Sequence, residues 1–146
     1  MIDRTSNEYW EKRSETYKDN INSVLVDNVA LIHEKVVKDF LKRFGTMSAL
    51  DVACGYGRFA DCFDDYTGID FCKNFIEIAK KNKPGKRFIL GDAHQGVDGT
   101  FDIVFAVIAL SSLNMTAKEF NEKWKHKARY GVIVLEVEEF YFFPKL

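Results

Sequence analysis

Proline is scarce in this chain of 146 residues: only Pro84 and Pro144 occur, and no linker, repeat or low-complexity tract breaks the sequence. Cysteine is scarce too, and Cys54, Cys62 and Cys72 are odd in number with no CxxC pair, which argues against a disulfide framework. The three histidines, His33, His94 and His126, are scattered without paired ligand spacing, so no zinc or other metal site is expected. An excess of charge of either sign is missing, since 21 Lys and Arg stand against 22 Asp and Glu. That removes the global basic field that would by itself indicate nucleic acid. No run approaches the ~18 consecutive apolar residues of a membrane span, and the opening MIDRTSNEYWEKR lacks the apolar core of a signal peptide. The expectation is a cytoplasmic protein that does not enter the membrane.

What is present is a globular balance, 47% apolar and 29% charged, with thirteen phenylalanines to fill a core or an interface. The length suits one domain over residues 1–146. Residues 1–45 are expected to form an N-terminal helical lid and a helix, and 46–146 an α/β core. From Ile21 to Phe44 apolar residues recur at helical spacing, with Gly45 as the C′ residue. Beyond it short apolar runs alternate with helical patterns. MSALDVA, YTGID, KRFILGDA, FDIVFAVIAL and YGVIVLEVEEFYFF read as strands. RFADCF, CKNFIEIAKKNK and TAKEFNEKWKHK read as helices, the last capped by Thr116. Such alternation demands crossover connections. It predicts a Rossmann-like, doubly wound, mainly parallel sheet of about five strands, with ligands bound at the carboxyl ends of the strands.

The stretch ALDVACGYGRF sits at the first of those ends. Gly55 and Gly57 let backbone N–H groups approach a ligand and tolerate positive φ. Asp51, just before the turn, would repel a pyrophosphate and suit a cationic amino group, so a nicotinamide-dependent dehydrogenase ranks low; the GxGxxG order is missing as well. Asp70 ends the second strand, where an acid accepts hydrogen bonds from ribose hydroxyls or caps the next helix. Asp92 ends the third, placed for an aminated base or for a turn of its own. Three acids on one edge of the sheet define a ligand with an amino group, a ribose and an aminated base.

LDVACGYGRF, TGIDF, FILGDA and FDIVFAVIALSSL, in that order and spacing, resemble the class I S-adenosylmethionine-dependent methyltransferases. The resemblance spans Ser48 to Leu113. It implies S-adenosyl-L-methionine as cofactor and methyl transfer as the activity. It implies that Asp51, Ala53, Cys54, Gly55 and Gly57 hold the methionine part, that Asp70 holds the ribose with Phe71 against adenine, and that Asp92 and Ala93 meet the adenine edge. Ala106 and the residues after it would line the methyl end. NEYWEKRSETY looks like the lid of small-molecule members, with Tyr9, Trp10, Arg13 and Tyr17 as candidates to touch cofactor or substrate.

Departures narrow the reading. Ala53 replaces the first glycine of the usual pattern. Ala106-Val107-Ile108-Ala109 replaces the Asn/Asp-Pro-Pro-Tyr/Phe that grips a flipped base, and no Pro-Cys follows the fourth strand, so a small-molecule acceptor is favoured over nucleic acid. Ser111 and Ser112 stand where histidines are frequent, and serine is a poor base at neutral pH. Tyr17, His94 and Glu136 are the remaining candidates for a base. The chain ends soon after the fifth strand, where family members carry a further helix and an antiparallel pair. EEFYFFPKL either folds back as a partial strand or leaves an aromatic edge, and a homodimer or a partner protein through residues 132–143 is expected. The alternative to an enzyme is an inactive methyltransferase-like subunit acting through that edge.

Overall fold

The computed structural model describes residues 5–12 and 28–145, with side chains from residue 33 in the second stretch. Its centre is a six-stranded sheet in the order β3-β2-β1-β4-β5-β6. β1 (Ser48–Val52), β2 (Asp65–Asp70), β3 (Arg87–Leu90), β4 (Phe101–Val107) and β5 (Ala128–Leu135) pair in parallel; β6 (Phe140–Pro144) is antiparallel to β5. The chain winds outward from β1 in both directions, as the alternation of strands and helices predicts.

Side chains alternate across each strand, so every strand feeds two cores. On one face Ala49, Tyr66, Phe105, Ile133 and Leu135 pack with Val37 and Leu41 of α1 (Asn28–Leu41) and with Ile76 and Ala79 of α2 (Lys73–Asn82). On the other, Leu50, Val52, Ile69, Val104, Val132 and Val134 meet Phe120 and Trp124 of α4 (Ala117–Trp124), reached through the single turn α3 (Leu110–Leu113). Trp124, Phe120, Phe63 and Phe105 are almost completely buried, and side chains of this size stabilise the fold by ~1.5–3 kcal/mol each. α4 begins as the sequence predicts. Thr116 Oγ1 accepts the Glu119 N–H and the Glu119 carboxylate accepts the Thr116 N–H, both at 3.1 Å.

Four expectations are corrected. RFADCF is not an α-helix. Twelve residues, 53–64, link β1 to β2; the left-handed turn takes the first five, and i→i+3 bonds (Ala60 N–H to Gly57 C=O, Cys62 N–H to Phe59 C=O) wind the next as a 3₁₀ turn, Ala60–Cys62. Phe59, Ala60 and Phe63 still enter the core. Gly45 has φ −52°, a right-handed conformation, because the chain tightens from α1 directly into the 3₁₀ turn Lys42–Phe44; residues 21–27 of the expected helix lie outside the described residues. Of the two readings of EEFYFFPKL the structure takes the fold-back, so YGVIVLEVEEFYFF is two strands. It reverses over residues 136–139, where Glu136 N–H bonds to Glu139 C=O, and the sheet therefore has six strands. Residues 132–135 are consequently interior, not an edge. The aromatic run does not all face solvent either: Phe140 packs on one core, Tyr141 and Phe143 on the other, and only Phe142 is half exposed.

Candidate functional site

A cleft of about 460 Å³ opens at the carboxyl ends of β1, β2 and β4, the size of a small-molecule site. Its floor is the turn after β1. Ala53, Gly55 and Gly57 have φ of 60°, 58° and 79°, so the backbone curls left-handed three times in five residues. Gly55 needs its lack of a side chain on the cleft side, where a Cβ would meet nothing within 4 Å. Gly57 needs it on the other: a Cβ there would lie 2.7 Å from the Phe88 ring. Gly55 thus leaves a cradle open, while Gly57 lets the turn pack on β3, and Gly57 is not among the cleft walls.

Asp51 is 1% exposed and accepts the Tyr66 hydroxyl at 2.6 Å. Burial pushes its carboxyl up to about 7, against the downward pull of the Tyr66 hydrogen bond and the Arg58 charge. Gly68 in YTGID makes this pair possible, since a Cβ there would meet Cys54 Sγ at 2.7 Å and the Tyr66 hydroxyl at 2.9 Å. Cys54 lines the cleft but is buried, and desolvation raises its thiol well above the ordinary range, so it packs rather than reacts.

Asp70, 7% exposed, accepts the Gly55 N–H with one oxygen and the Cys72 N–H with the other, both at 2.9 Å. It thereby ties the glycine turn to the start of α2. Burial raises its pKa and the backbone donors hold it down. With the Phe71 N–H also acting on the carboxylate, three of its four lone pairs have donors and one is left to offer. Asp92 is exposed and accepts the His94 N–H at 2.8 Å, capping the 3₁₀ turn Ala93–Gln95; Asp92 and Ala93 both border the cleft.

Residues 7–12 are helical and reach over the cleft. Tyr9 and Trp10 meet edge to face at 4.9 Å, and Trp10 leans on Phe75 of α2 at 6.2 Å. Glu11 holds this segment down: its carboxylate accepts the Lys73 N–H at 2.6 Å at the first turn of α2. Trp10 and Phe71 line the cleft. Arg13 and Tyr17 lie outside the described residues. Ala106 does not line the cleft. Its side chain points to the Leu50 and Trp124 core, and Val107 and Ile108 one step on form the wall. Glu136 is held away as well, with its carboxylate on the Leu110 N–H at 3.3 Å, whereas His94, Ser111 and Ser112 border the cleft.

Sequence reasoning left Arg58, Tyr56 and Phe75 unassigned, and all three line the cleft. Arg58 lies 4.9 Å over the Phe59 ring and 3.7 Å from Glu34, and its charge reaches Asp51. Its signal was its place in GYGRF, directly after the turn. Ile108 has φ 50°, a genuine outlier for a β-branched residue, held by its N–H on Leu135 C=O at 2.8 Å.

A family model described as a methyltransferase domain matches residues 50–135. No curated protein matches the chain. Among solved structures it resembles the plantazolicin methyltransferase BpumL in complex with a triazolic desmethylPZN analog and SAH. There the TM-score is 0.66 at 15% identity, covering 92% of this chain and 57% of that one. Streptomyces venezuelae DesVI gives 0.59 at 19%, covering 81% and 56%. Magnesium protoporphyrin IX methyltransferase (ChlM) from Synechocystis, with bound SAH, gives 0.51 at 16%, covering 73% and 53%. At such identities the likeness is one of fold, and the chain spans little more than half the length of these structures.

Proposed function

Because the chain belongs to the methyltransferase-domain family, we propose that its cleft binds S-adenosyl-L-methionine and directs its methyl group to a small-molecule acceptor. The observation that carries this is the convergence of Asp51, Asp70 and Asp92, from three successive parallel strands, on one cleft floored by the open Gly55. The donor set fits the cofactor. A buried carboxylate with one neutral partner is suited to an ammonium group, and Arg58 beside it to a carboxylate. Asp70 keeps a lone pair for a ribose hydroxyl, Phe71 has an apolar ring for adenine, and Asp92 with Ala93 the adenine edge. Trp10 and Tyr9 cover the site from above.

When bound, S-adenosyl-L-methionine supplies an electrophilic methyl group on a sulfonium, open to in-line displacement. The chain contributes position and dryness. Val107 and Ile108 fix one wall, and the helical segment 7–12, latched by Glu11, shuts out water. Ser111, Ser112 and His94 border the cleft where polar atoms can orient an acceptor.

A small acceptor is supported by the size of the cleft and by the short residues that stand where a base-gripping motif would. We place the protein in the cytoplasm: its three cysteines are buried thiols, and among the described residues no helix is long and apolar enough to cross a membrane. The test is calorimetric titration with S-adenosylmethionine and S-adenosylhomocysteine, with NAD as control. Saturable 1:1 binding of the first two is expected. No heat from either would overturn the reading, and binding without methyl transfer across an acceptor panel would favour the inactive subunit instead.

A further inference from the structure

β6 covers β5, and among the described residues no strand pairs with its outer side. In an antiparallel ladder alternate residues turn their N–H and C=O groups toward the neighbouring strand. Glu139 C=O accepts from Glu136, and Lys145 N–H donates to Tyr130 C=O, both at 2.8 Å, so the odd-numbered residues of β6 are bonded to β5. Phe140 and Phe142 therefore aim their N–H groups outward. Pro144, which has none, occupies an outward position, where its lack costs the β5 pairing nothing. An apolar strip runs beside this edge: Phe142 and Val36 of α1 are each 50% exposed, and the Phe40 ring lies 5.4 Å from Phe142.

We infer that β6 is a dimerisation strand, pairing antiparallel with β6 of a second copy about a two-fold axis at Phe142. Charge selects both the occupant and the register. Glu138 and Glu139 precede the strand and Lys145 follows it, so antiparallel self-pairing brings the acidic end of each copy to the basic end of the other. Centring on Phe142 sets Glu139 directly opposite Lys145, whereas a slip of one pair sets it opposite Phe143. In the Phe142 register each Phe142 N–H meets the opposing Phe142 carbonyl and each Phe140 N–H meets a Pro144 carbonyl. The missing proline N–H is the only gap on each side. Tyr141 then faces Phe143, and the two Phe142 rings meet beside Val36. The charges are available for this. Lys145 gives two N–H bonds to the carbonyls of Lys125 and Ala128 and has a third to give, and the Tyr141 hydroxyl occupies one oxygen of Glu139. A second copy supplies this complementarity by symmetry.

The experiment is light scattering and sedimentation of the whole chain at micromolar concentration, with circular dichroism to verify folding. A dimer is expected, weakened at least ~10-fold by Phe142→Asp. Glu139→Lys should weaken it ~3-fold or more, and Glu139→Lys with Lys145→Glu should restore it, an effect that a structural role for either residue would not produce. Phe142→Cys should cross-link to itself on oxidation, since directly bonded cross-strand pairs sit about 5.5 Å apart between Cα atoms, within disulfide reach; the native thiols are buried. A folded monomer overturns the inference, and so does a dimer that all of these variants leave unchanged.

Discussion

Replacing Asp51 by Asn should stabilise the fold and disable the site, and the stabilisation should depend on pH. Burial lifts the Asp51 carboxyl from 3.8 to about 7. A carboxyl whose pKa is higher folded than unfolded holds its proton more tightly in the folded chain. Stability is therefore lost as pH rises from about 4, where the unfolded carboxyl ionises, and the loss is complete above about 7. A gap of about 3 pH units at 1.36 kcal/mol each makes the penalty ~4 kcal/mol, an order-of-magnitude figure. Asn keeps an oxygen for the Tyr66 hydroxyl and never ionises. In urea titrations followed by circular dichroism, the advantage of the variant should be ~1–2 kcal/mol at pH 5 and widen by ~2–3 kcal/mol at pH 8.5. Other titrating groups, Asp70 among them, are present in both proteins and largely cancel in the difference. The same substitution should weaken S-adenosylhomocysteine binding ~10-fold or more, because the ammonium loses its counter-charge. A stability difference that is flat in pH, or unaltered affinity, would refute the reasoning.

The glycines of the turn should separate by assay. Gly55→Val should abolish cofactor binding in calorimetry, since it puts a branched side chain into the open cradle at positive φ. Gly57→Ala should instead cost ~1–3 kcal/mol in urea unfolding, from its contact with Phe88, while the folded fraction binds nearly normally. Asp70→Ala should lower cofactor affinity by ~1–3 kcal/mol, read by titration, and should also lower the melting temperature, because the Gly55 and Cys72 N–H groups lose their acceptor.

Much of the fold was legible because the strands are buried on both faces and the helices on one. Such segments differ in period, and the punctuation at Pro84, Gly85 and Thr116 is local. RFADCF failed for a reason periodicity cannot register: Phe59, Ala60 and Phe63 face the core at helical spacing, yet the bonds that follow the left-handed turn close at i→i+3, which the same spacing also allows. The hairpin at residues 136–139 stayed one of two readings because EVEE carries neither glycine nor asparagine to mark the turn. In the cleft, residues at strand ends could be read from order alone. Ala106 could not, because one residue of register decides whether a side chain enters the core or the cleft.

The distribution of unfavourable features argues that the turn is more than a connector. Below the cleft the two cores hold ordinary apolar contacts. Within a few residues of the rim stand a buried carboxylate pushed up to about 7, an alanine at φ 60° and an isoleucine at φ 50°. Each costs on the order of 1 kcal/mol or more. A strand-to-strand link requires none of them: an apolar residue at 51, a glycine at 53 and a right-handed residue at 108 would connect the same elements with less strain. Tyr66, Gly68 and Cys54 are shaped around the carboxylate so that it keeps a single neutral partner and an open side. That combination raises the free energy of the empty cleft and is relieved when a cation enters. Cofactor binding should therefore release a proton wherever Asp51 starts protonated, and the proton count in calorimetry near pH 6 links the stability argument to the proposed reaction.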